Sequence, residues 1–281
     1  MIRKTLIANI FNKYMKREIR PIGDLIKTDF KGYLKNNLNE KDIISPWKEC
    51  VEEVKKSYLK YLSNEIHSIY IRGSVAKGKA IEKISDIDSF AVVKTNPKNI
   101  DLLWVKEQRR KIKQKFPFIT KVEFEFLYKK DLLEKERYFP SRFTIKLMSV
   151  CIYGKDLSKK IDKIKPNLET ARKLQEDVEK VIVVTKKDLE HGNKEKILLR
   201  CSWAMKRLLR QCMILTMFKE KTFSRDLYPC YKVFSKYYPE KEKEAKNILK
   251  LAIYPISNKE SIQKILDNFG KWLLFESNKI L

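Results

Sequence analysis

Histidine is nearly absent from this chain of 281 residues, which contains only His67 and His191. Neither lies beside a cysteine or a second histidine, so we do not expect a catalytic triad or a metal centre that depends on imidazole. The five cysteines are scattered and form no Cys-x-x-Cys pair, which excludes the usual spacing of a zinc site. Because an odd number of dispersed cysteines is typical of a reducing compartment, we expect a cytoplasmic protein.

Long apolar runs are also missing. No stretch approaches the 18 or so consecutive apolar residues that a membrane-spanning helix requires, so we expect no membrane partner. Residues 1–20 are basic and amphipathic, but they lack a continuous apolar segment and a small-residue cleavage site, which argues against a secretory signal. Hydrophobic residues make up 43% of the chain, the proportion of an ordinary globular protein with a core.

Acidic residues are few relative to basic ones, 36 against 62, and the formal net charge is +26. A strongly basic balance is typical of proteins that bind nucleic acid. Only 13 of the basic residues are arginine, however, and a lysine-rich profile is also what the codons of an AT-rich genome produce. The sequence leaves open whether the charge serves a function.

The most informative segment is residues 69–90, where Gly73-Ser74 ends one β-branched and aromatic run and Asp86-Ile87-Asp88 opens another. Because side chains alternate along a strand, the two aspartates point to one face and Ile87 points into the core. Carboxylates two residues apart, about 7 Å along a strand, can share a divalent metal. The glycine lets backbone N–H groups approach an anion, and a helix beginning there favours phosphate. The segment predicts a site for a metal-bound nucleotide.

A further acidic segment follows at residues 121–127, where apolar and charged residues alternate strictly. Its apolar face consists of Val122, Phe124 and Phe126. The opposite face carries Glu123 and Glu125. Since both glutamates point to the same side, the sequence does not choose between them as a partner for the two aspartates.

Taken together, these segments resemble the signature of the nucleotidyltransferase superfamily, which is typified by DNA polymerase β and the antibiotic adenylyltransferases. That signature is a Gly-Ser pair, a gap of about ten residues, Asp-x-Asp on a strand and a carboxylate on a later strand. The segment Cys151–Leu157 is similar to the closing strand and turn of small domains of this superfamily. The resemblance covers about residues 47–157. It implies a Mg²⁺-dependent enzyme that moves a nucleoside monophosphate, AMP from ATP, onto a hydroxyl and releases pyrophosphate.

The resemblance also implies roles for particular residues. Two Mg²⁺ ions would be held by Asp86 and Asp88, and Glu123 or Glu125 would complete the second metal site or take the proton of the acceptor hydroxyl. The nucleotide phosphates would contact the turn at Gly73 and Ser74. The cations nearest to that turn are further candidates for binding the triphosphate: Arg72, Lys77 and Lys79.

Three hypotheses about the function follow. The first is transfer to a small molecule such as an aminoglycoside or a lincosamide, the second is transfer to RNA, for example tRNA in a toxin-like setting, and the third is an inert nucleotide-binding module. The layout of a nucleotidyltransferase domain followed by a helical bundle supports the small-molecule acceptor. Residues 167–281 contain 24 basic and 15 acidic residues, however, which favours an anionic acceptor over a cationic drug. The retained carboxylates argue against the inert module, because crowded like charges are costly.

The predicted fold class is α+β, with a mixed sheet followed by an all-α bundle. We predict a helical N-terminal extension over 1–44 that is broken at Pro21-Ile22-Gly23. A nucleotidyltransferase domain is predicted over 45–157, a linker over 158–166 and an acceptor-binding helical bundle over 167–281. Strands are predicted near 66–72, 87–94, 119–128 and 150–154, with the helices packed on one face of the sheet. In the bundle we predict one unbroken helix from Asn167 to about His191. The sequence leaves the oligomeric state open.

Overall fold

The computed structural model describes residues 19–281, which fall into two compact units. One unit is Asp29–Ile164, and the other joins residues 19–28 to Lys165–Leu281. The change of unit lies inside the segment predicted as the linker, 158–166. The predicted domain bounds themselves stay a prediction, and residues 1–18 of the predicted extension lie outside the described residues.

For the described part of that extension, the prediction of a helix is wrong. Residues 19–44 contain no α-helix; they form a 3₁₀ turn at Glu40–Asp42 and isolated backbone bridges, one of which pairs Ile26 with Phe223. The cause is local, because Pro21 lacks an N–H donor and Gly23 has a φ of +123°, and neither supports a helix interior.

The first unit contains a four-stranded mixed sheet, as predicted. Its strands are β1 (Ile66–Arg72), β2 (Ile87–Val93), β3 (Val122–Tyr128) and β4 (Ser149–Gly154), and their order across the sheet is β3-β2-β1-β4. Strand β1 is antiparallel to β2 and β4, whereas β2 and β3 run parallel. A parallel pair requires a crossover connection, and this is where a helix is inserted between β2 and β3.

Five helices accompany the sheet: α1 (Trp47–Leu62), the single turn α2 (Gly73–Ala76), the crossover helix α3 (Trp104–Lys115), α4 (Lys129–Glu134) and α5 (Phe139–Leu147). They cover both faces, so the prediction of helices on one face is wrong. The larger core joins α1 and α3 to one face of the sheet through residues such as Tyr58, Trp104, Ile87 and Phe124. A smaller core on the opposite face joins α4 and α5 to the sheet through Leu132, Ile145, Tyr70 and Phe90.

The second unit is a helical bundle, as predicted. Its helices are α6 (Leu168–Leu174), α7 (Val178–His191), α8 (Lys194–Glu220), α9 (Leu227–Tyr237), α10 (Glu242–Ile253), α11 (Lys259–Ile265) and α12 (Lys271–Ile280), with a π-helical turn at Leu266–Gly270 before α12. The long helix α8 is the centre of the bundle, because its buried side includes thirteen residues from Ile197 to Met217. No described helix combines the length and the apolar character that crossing a membrane requires.

The helix predicted from Asn167 to His191 is broken in the structure, which corrects that prediction. Asp177 caps the second piece, its side chain accepting a hydrogen bond from the backbone N–H of Lys180 at 2.9 Å. The backbone N–H of the preceding Glu176 donates to the side chain of Gln211 on α8 at 2.9 Å. A long-range partner and a good N-cap residue therefore end one helix and begin the next.

Candidate active site

Three neighbouring strands place charged residues side by side near one end of the sheet. In the strand register Arg72 of β1 pairs with Asp88 of β2, and Asp88 pairs with Glu123 of β3. Ile87, one residue before Asp88, is fully buried in the larger core, so strand alternation turns Asp88 to the opposite face. The strands thus form a row of one cation and two anions.

Asp86 joins this row from the loop just before β2. One carboxylate oxygen from each of Asp86, Asp88 and Glu123 lies within 4.8 Å of the others, and we call these three residues the acidic cluster. Glu125 is not part of the cluster. Because β2 and β3 are parallel, its register partner is Phe90, two residues further along. The choice that the sequence leaves open is thus made by strand register.

The cluster holds its charge at an electrostatic cost. Burial and the neighbouring charge of Asp86 together raise the pKa of Asp88 to about 7, and Arg72 opposes both. Burial would also raise the pKa of Glu123, but hydrogen bonds with Lys121 and Asp88 outweigh it and lower that pKa. Carboxylates this close favour ionisation only when a cation lies among them. The donor set, three hard oxygen ligands, fits Mg²⁺.

Lys121 is a member of the site that sequence reasoning missed. Its ammonium forms an ion pair with Glu123 and lies 3.5 Å from Oδ2 of Asp86. The signal was present in the alternation of residues 121–127, since Lys121 precedes Glu123 by two positions and shares its face.

The Gly-Ser turn lies directly against the cluster. Gly73 has a φ of +77°, and a Cβ built there would lie 2.7 Å from Oδ2 of Asp88, so any other residue would strain the backbone and displace this carboxylate. The hydroxyl of Ser74 donates to Oγ of Ser85 at 3.0 Å, and Oγ of Ser85 also accepts from the backbone N–H of Ile81 at 2.9 Å. These bonds hold the turn beside β2.

The cations predicted to bind a triphosphate have different surroundings. The backbone N–H of Lys79 donates to the carbonyl of Ser74 at 2.9 Å, which closes the turn that also contains Lys77. Arg72 is engaged with carboxylates, its Nη2 atom lying 2.8 Å from Oε1 of Glu125. Contacts of these three side chains with phosphate stay a prediction.

A cavity of about 360 Å³ adjoins the cluster at the edge strand β3. It is lined by residues of both charges and one aliphatic side chain: Arg109, Lys121, Val122, Glu123 and Glu125. Because Glu123 belongs to both the cavity and the cluster, a molecule in the cavity would lie next to the carboxylates.

The comparison with protein families agrees with the site. Residues 48–143 match the family model of the nucleotidyltransferase domain, and this range includes the Gly-Ser turn and the whole acidic cluster. The chain therefore carries a nucleotidyltransferase domain and is a transferase of that class.

Among solved structures, the chain is similar to a spectinomycin adenyltransferase from Enterococcus faecialis, crystallised with ATP and spectinomycin. The TM-score is 0.50 and the identity 14%, with 80% of this chain and 98% of that chain covered. At this identity the likeness concerns the fold, a sheet-containing part followed by helices. None of the curated proteins matches the chain in sequence.

Proposed function

We propose that the protein transfers AMP from ATP to a hydroxyl group of a small-molecule acceptor and releases pyrophosphate. The observation that carries the proposal is the convergence of Asp86, Asp88 and Glu123 within 4.8 Å, inside a region that matches the nucleotidyltransferase domain. Lys121 pairs with two of these carboxylates, and bound Mg²⁺ would supply the further positive charge that three converging carboxylates favour.

The residues that would hold two Mg²⁺ ions are Asp86, Asp88 and Glu123. When bound, Mg²⁺ supplies positive charge that stabilises the charge developing on the phosphates during transfer. The turn at Gly73 and Ser74 would place its backbone beside the phosphates, and Lys77 and Lys79 would add positive charge there.

In the proposed reaction the acceptor oxygen forms a bond to the α-phosphorus while the bond from that phosphorus to the oxygen bridging to the β-phosphate breaks. Pyrophosphate leaves with that oxygen. The proton of the hydroxyl passes to Glu123, which belongs to the cluster and also lines the cavity beside it.

Two features support ATP and a small acceptor as first choices. The solved adenyltransferase with this fold was crystallised with ATP and a small molecule, and a cavity of about 360 Å³ at β3 adjoins the cluster. A cytoplasmic location is part of the proposal, because all five cysteines are free thiols, as a reducing compartment would keep them.

RNA is the second candidate acceptor, and one feature of the bundle favours it. On helix α8 the guanidinium groups of Arg200 and Arg207 lie 4.6 Å and 5.3 Å from the ring centre of Trp203. A partly exposed aromatic ring near basic side chains can stack on a base, and Arg200 and Arg207 are themselves paired with Asp188 and Glu176. The excess of basic residues over 167–281 agrees with this alternative.

The test uses ATP labelled at the α-phosphate, Mg²⁺, and two acceptor pools, one of aminoglycosides and related aminocyclitols and one of tRNA. Asp88→Asn should abolish labelling of the acceptor, whereas Asp162→Asn, at an exposed aspartate, should leave it intact. Label in the first pool supports the small-molecule acceptor, and label in tRNA alone supports the second candidate. Undiminished transfer by Asp88→Asn would contradict the whole assignment.

A further inference from the structure

Glu125 occupies an unexpected place beside the acidic cluster. It shares a strand face with Glu123, two residues away, yet its carboxylate faces Arg72 and not the cluster. Oε1 of Glu125 lies 2.8 Å from Nη2 of Arg72, a normal distance for a charge-assisted hydrogen bond. The same guanidinium also lies over the ring of Phe90, 5.9 Å from the ring centre.

Arg72 is close to the cluster as well. Its Nη2 atom lies 3.9 Å from Oε2 of Glu123, too long for a hydrogen bond, and its register partner on β2 is Asp88. If Glu125 were uncharged, the nearest carboxylates left to this guanidinium would be those of Glu123 and Asp88. A guanidinium paired with them would compete with a metal ion for the same oxygens.

We propose that Glu125 is a positioning residue that holds Arg72 away from the acidic cluster and thereby keeps the cluster open to a divalent cation. The inference rests on the proposed function, since it assumes that the cluster binds metal. It assigns different tasks to two glutamates on one strand face: Glu123 contributes an oxygen to the cluster, and Glu125 acts on the cluster only through Arg72.

The exposure of the pair makes the idea testable without loss of the fold. The side chain of Glu125 is 44% exposed and that of Arg72 is 31% exposed, and ion pairs at such positions contribute little to stability. Substitution of Glu125 should therefore change the electrostatics of the cluster while the domain stays folded.

The direct readout is Mn²⁺ binding by calorimetry in the absence of nucleotide, because it does not depend on turnover. We expect Glu125→Gln to weaken Mn²⁺ binding about tenfold. Glu134→Gln, at an exposed glutamate of α4, is the control, because it also removes one negative charge. The double variant Arg72→Gln/Glu125→Gln should bind Mn²⁺ within about twofold of the wild type, because the competing guanidinium is gone. In turnover assays, the deficit of Glu125→Gln should shrink as the Mg²⁺ concentration rises.

Two results would overturn the inference. Unchanged Mn²⁺ affinity in Glu125→Gln would show that Arg72 does not compete, and a double variant as weak as the single one would show that Glu125 contacts the metal itself. Asp88→Asn separates these failures from a failure of the proposed function. If Asp88→Asn binds Mn²⁺ like the wild type, the cluster is not a metal site. If Asp88→Asn loses Mn²⁺ binding, the results on Glu125 concern only the role of Glu125.

Discussion

At the scale of single residues, one position in the site depends on the absence of a side chain. Gly73 combines a left-handed backbone with a carboxylate oxygen of Asp88 that lies 2.7 Å from where a Cβ would be. These two constraints are separable, because Gly32 has nearly the same φ, +79°, with nothing within 4 Å of its Cβ position. The two glycines form a matched pair for experiment.

We predict that Gly73→Ala lowers nucleotidyl transfer by about 100-fold or more, since moving a catalytic group by about 1 Å has effects of that size. Both Gly73→Ala and Gly32→Ala should lose about 1–2 kcal/mol of unfolding free energy from backbone strain. Steady-state rates and urea denaturation of both variants measure these effects. Equal activity in the two variants would show that the contact with Asp88 is unimportant.

The elements of the site are held in register by more than the backbone ladder. Ser89 of β2 is 1% exposed, and its hydroxyl donates to the carbonyl of Glu123 on β3 at 2.5 Å. The same hydroxyl lies 3.1 Å from that of Tyr58 on α1. One buried serine thus connects two strands and a helix directly beneath the acidic cluster.

Ser89→Ala should lower the free energy of unfolding by about 1–3 kcal/mol, because it removes a partner from buried polar groups. The midpoint of urea denaturation measures this loss. Ser63→Ala, at an exposed position, should change stability by less than about 0.5 kcal/mol. A loss in Ser89→Ala no larger than in this control would mean that the backbone ladder alone sets the register.

In the bundle, Asp188 near the end of α7 connects it to the start of α8. Its carboxylate lies 2.8 Å from Nζ of Lys196 and 2.5 Å from Nε of Arg200. The hydrogen bond with Lys196 lowers the pKa of Asp188 below its ordinary value of 3.8, against the effect of burial and with help from Arg200. A folded-state pKa below the unfolded one means that the charged form favours folding.

This contribution should be fully present above pH 3.8 and disappear as the pH falls through the lower folded-state value. We therefore predict that Asp188→Asn is less stable than the wild type by a constant amount from about pH 7 to pH 5, and that the difference shrinks in more acidic solution. Urea denaturation at a series of pH values measures it, with Asp162→Asn as the control for lost charge. A difference that grows on acidification would contradict the prediction.

At the scale of the whole molecule, the net charge of +26 means that basic side chains repel one another throughout the chain. Ion pairs on the surface, such as Lys111 with Glu107, offset little of that repulsion. Salt can separate the two effects, because it screens repulsion between distant charges more strongly than attraction within a close ion pair.

We predict that raising NaCl from about 50 mM to about 500 mM increases the melting temperature, since screening removes more long-range repulsion than ion-pair attraction. Differential scanning calorimetry measures the shift, and KCl should give the same increase if the effect is screening. A melting temperature that falls with salt would show that the ion pairs dominate.

Alternation and spacing in the sequence by themselves determined that Asp86 and Asp88 share a face, that Glu123 and Glu125 share a face, and that a mixed sheet precedes a helical bundle. These are local properties, because side-chain direction along a strand and apolar periodicity along a helix depend on near neighbours. The Gly-Ser turn was predictable for the same reason.

The tertiary structure decided the features that a local sequence pattern cannot determine. The parallel pairing of β2 with β3 placed Glu123 and not Glu125 beside Asp88, and it gave Arg72 a partner on another strand. A contact with Gln211 ended α6 earlier than its own sequence predicts. Each of these outcomes depends on which distant segments become neighbours, and that follows from the packing of the whole core rather than from the spacing of residues within any one segment.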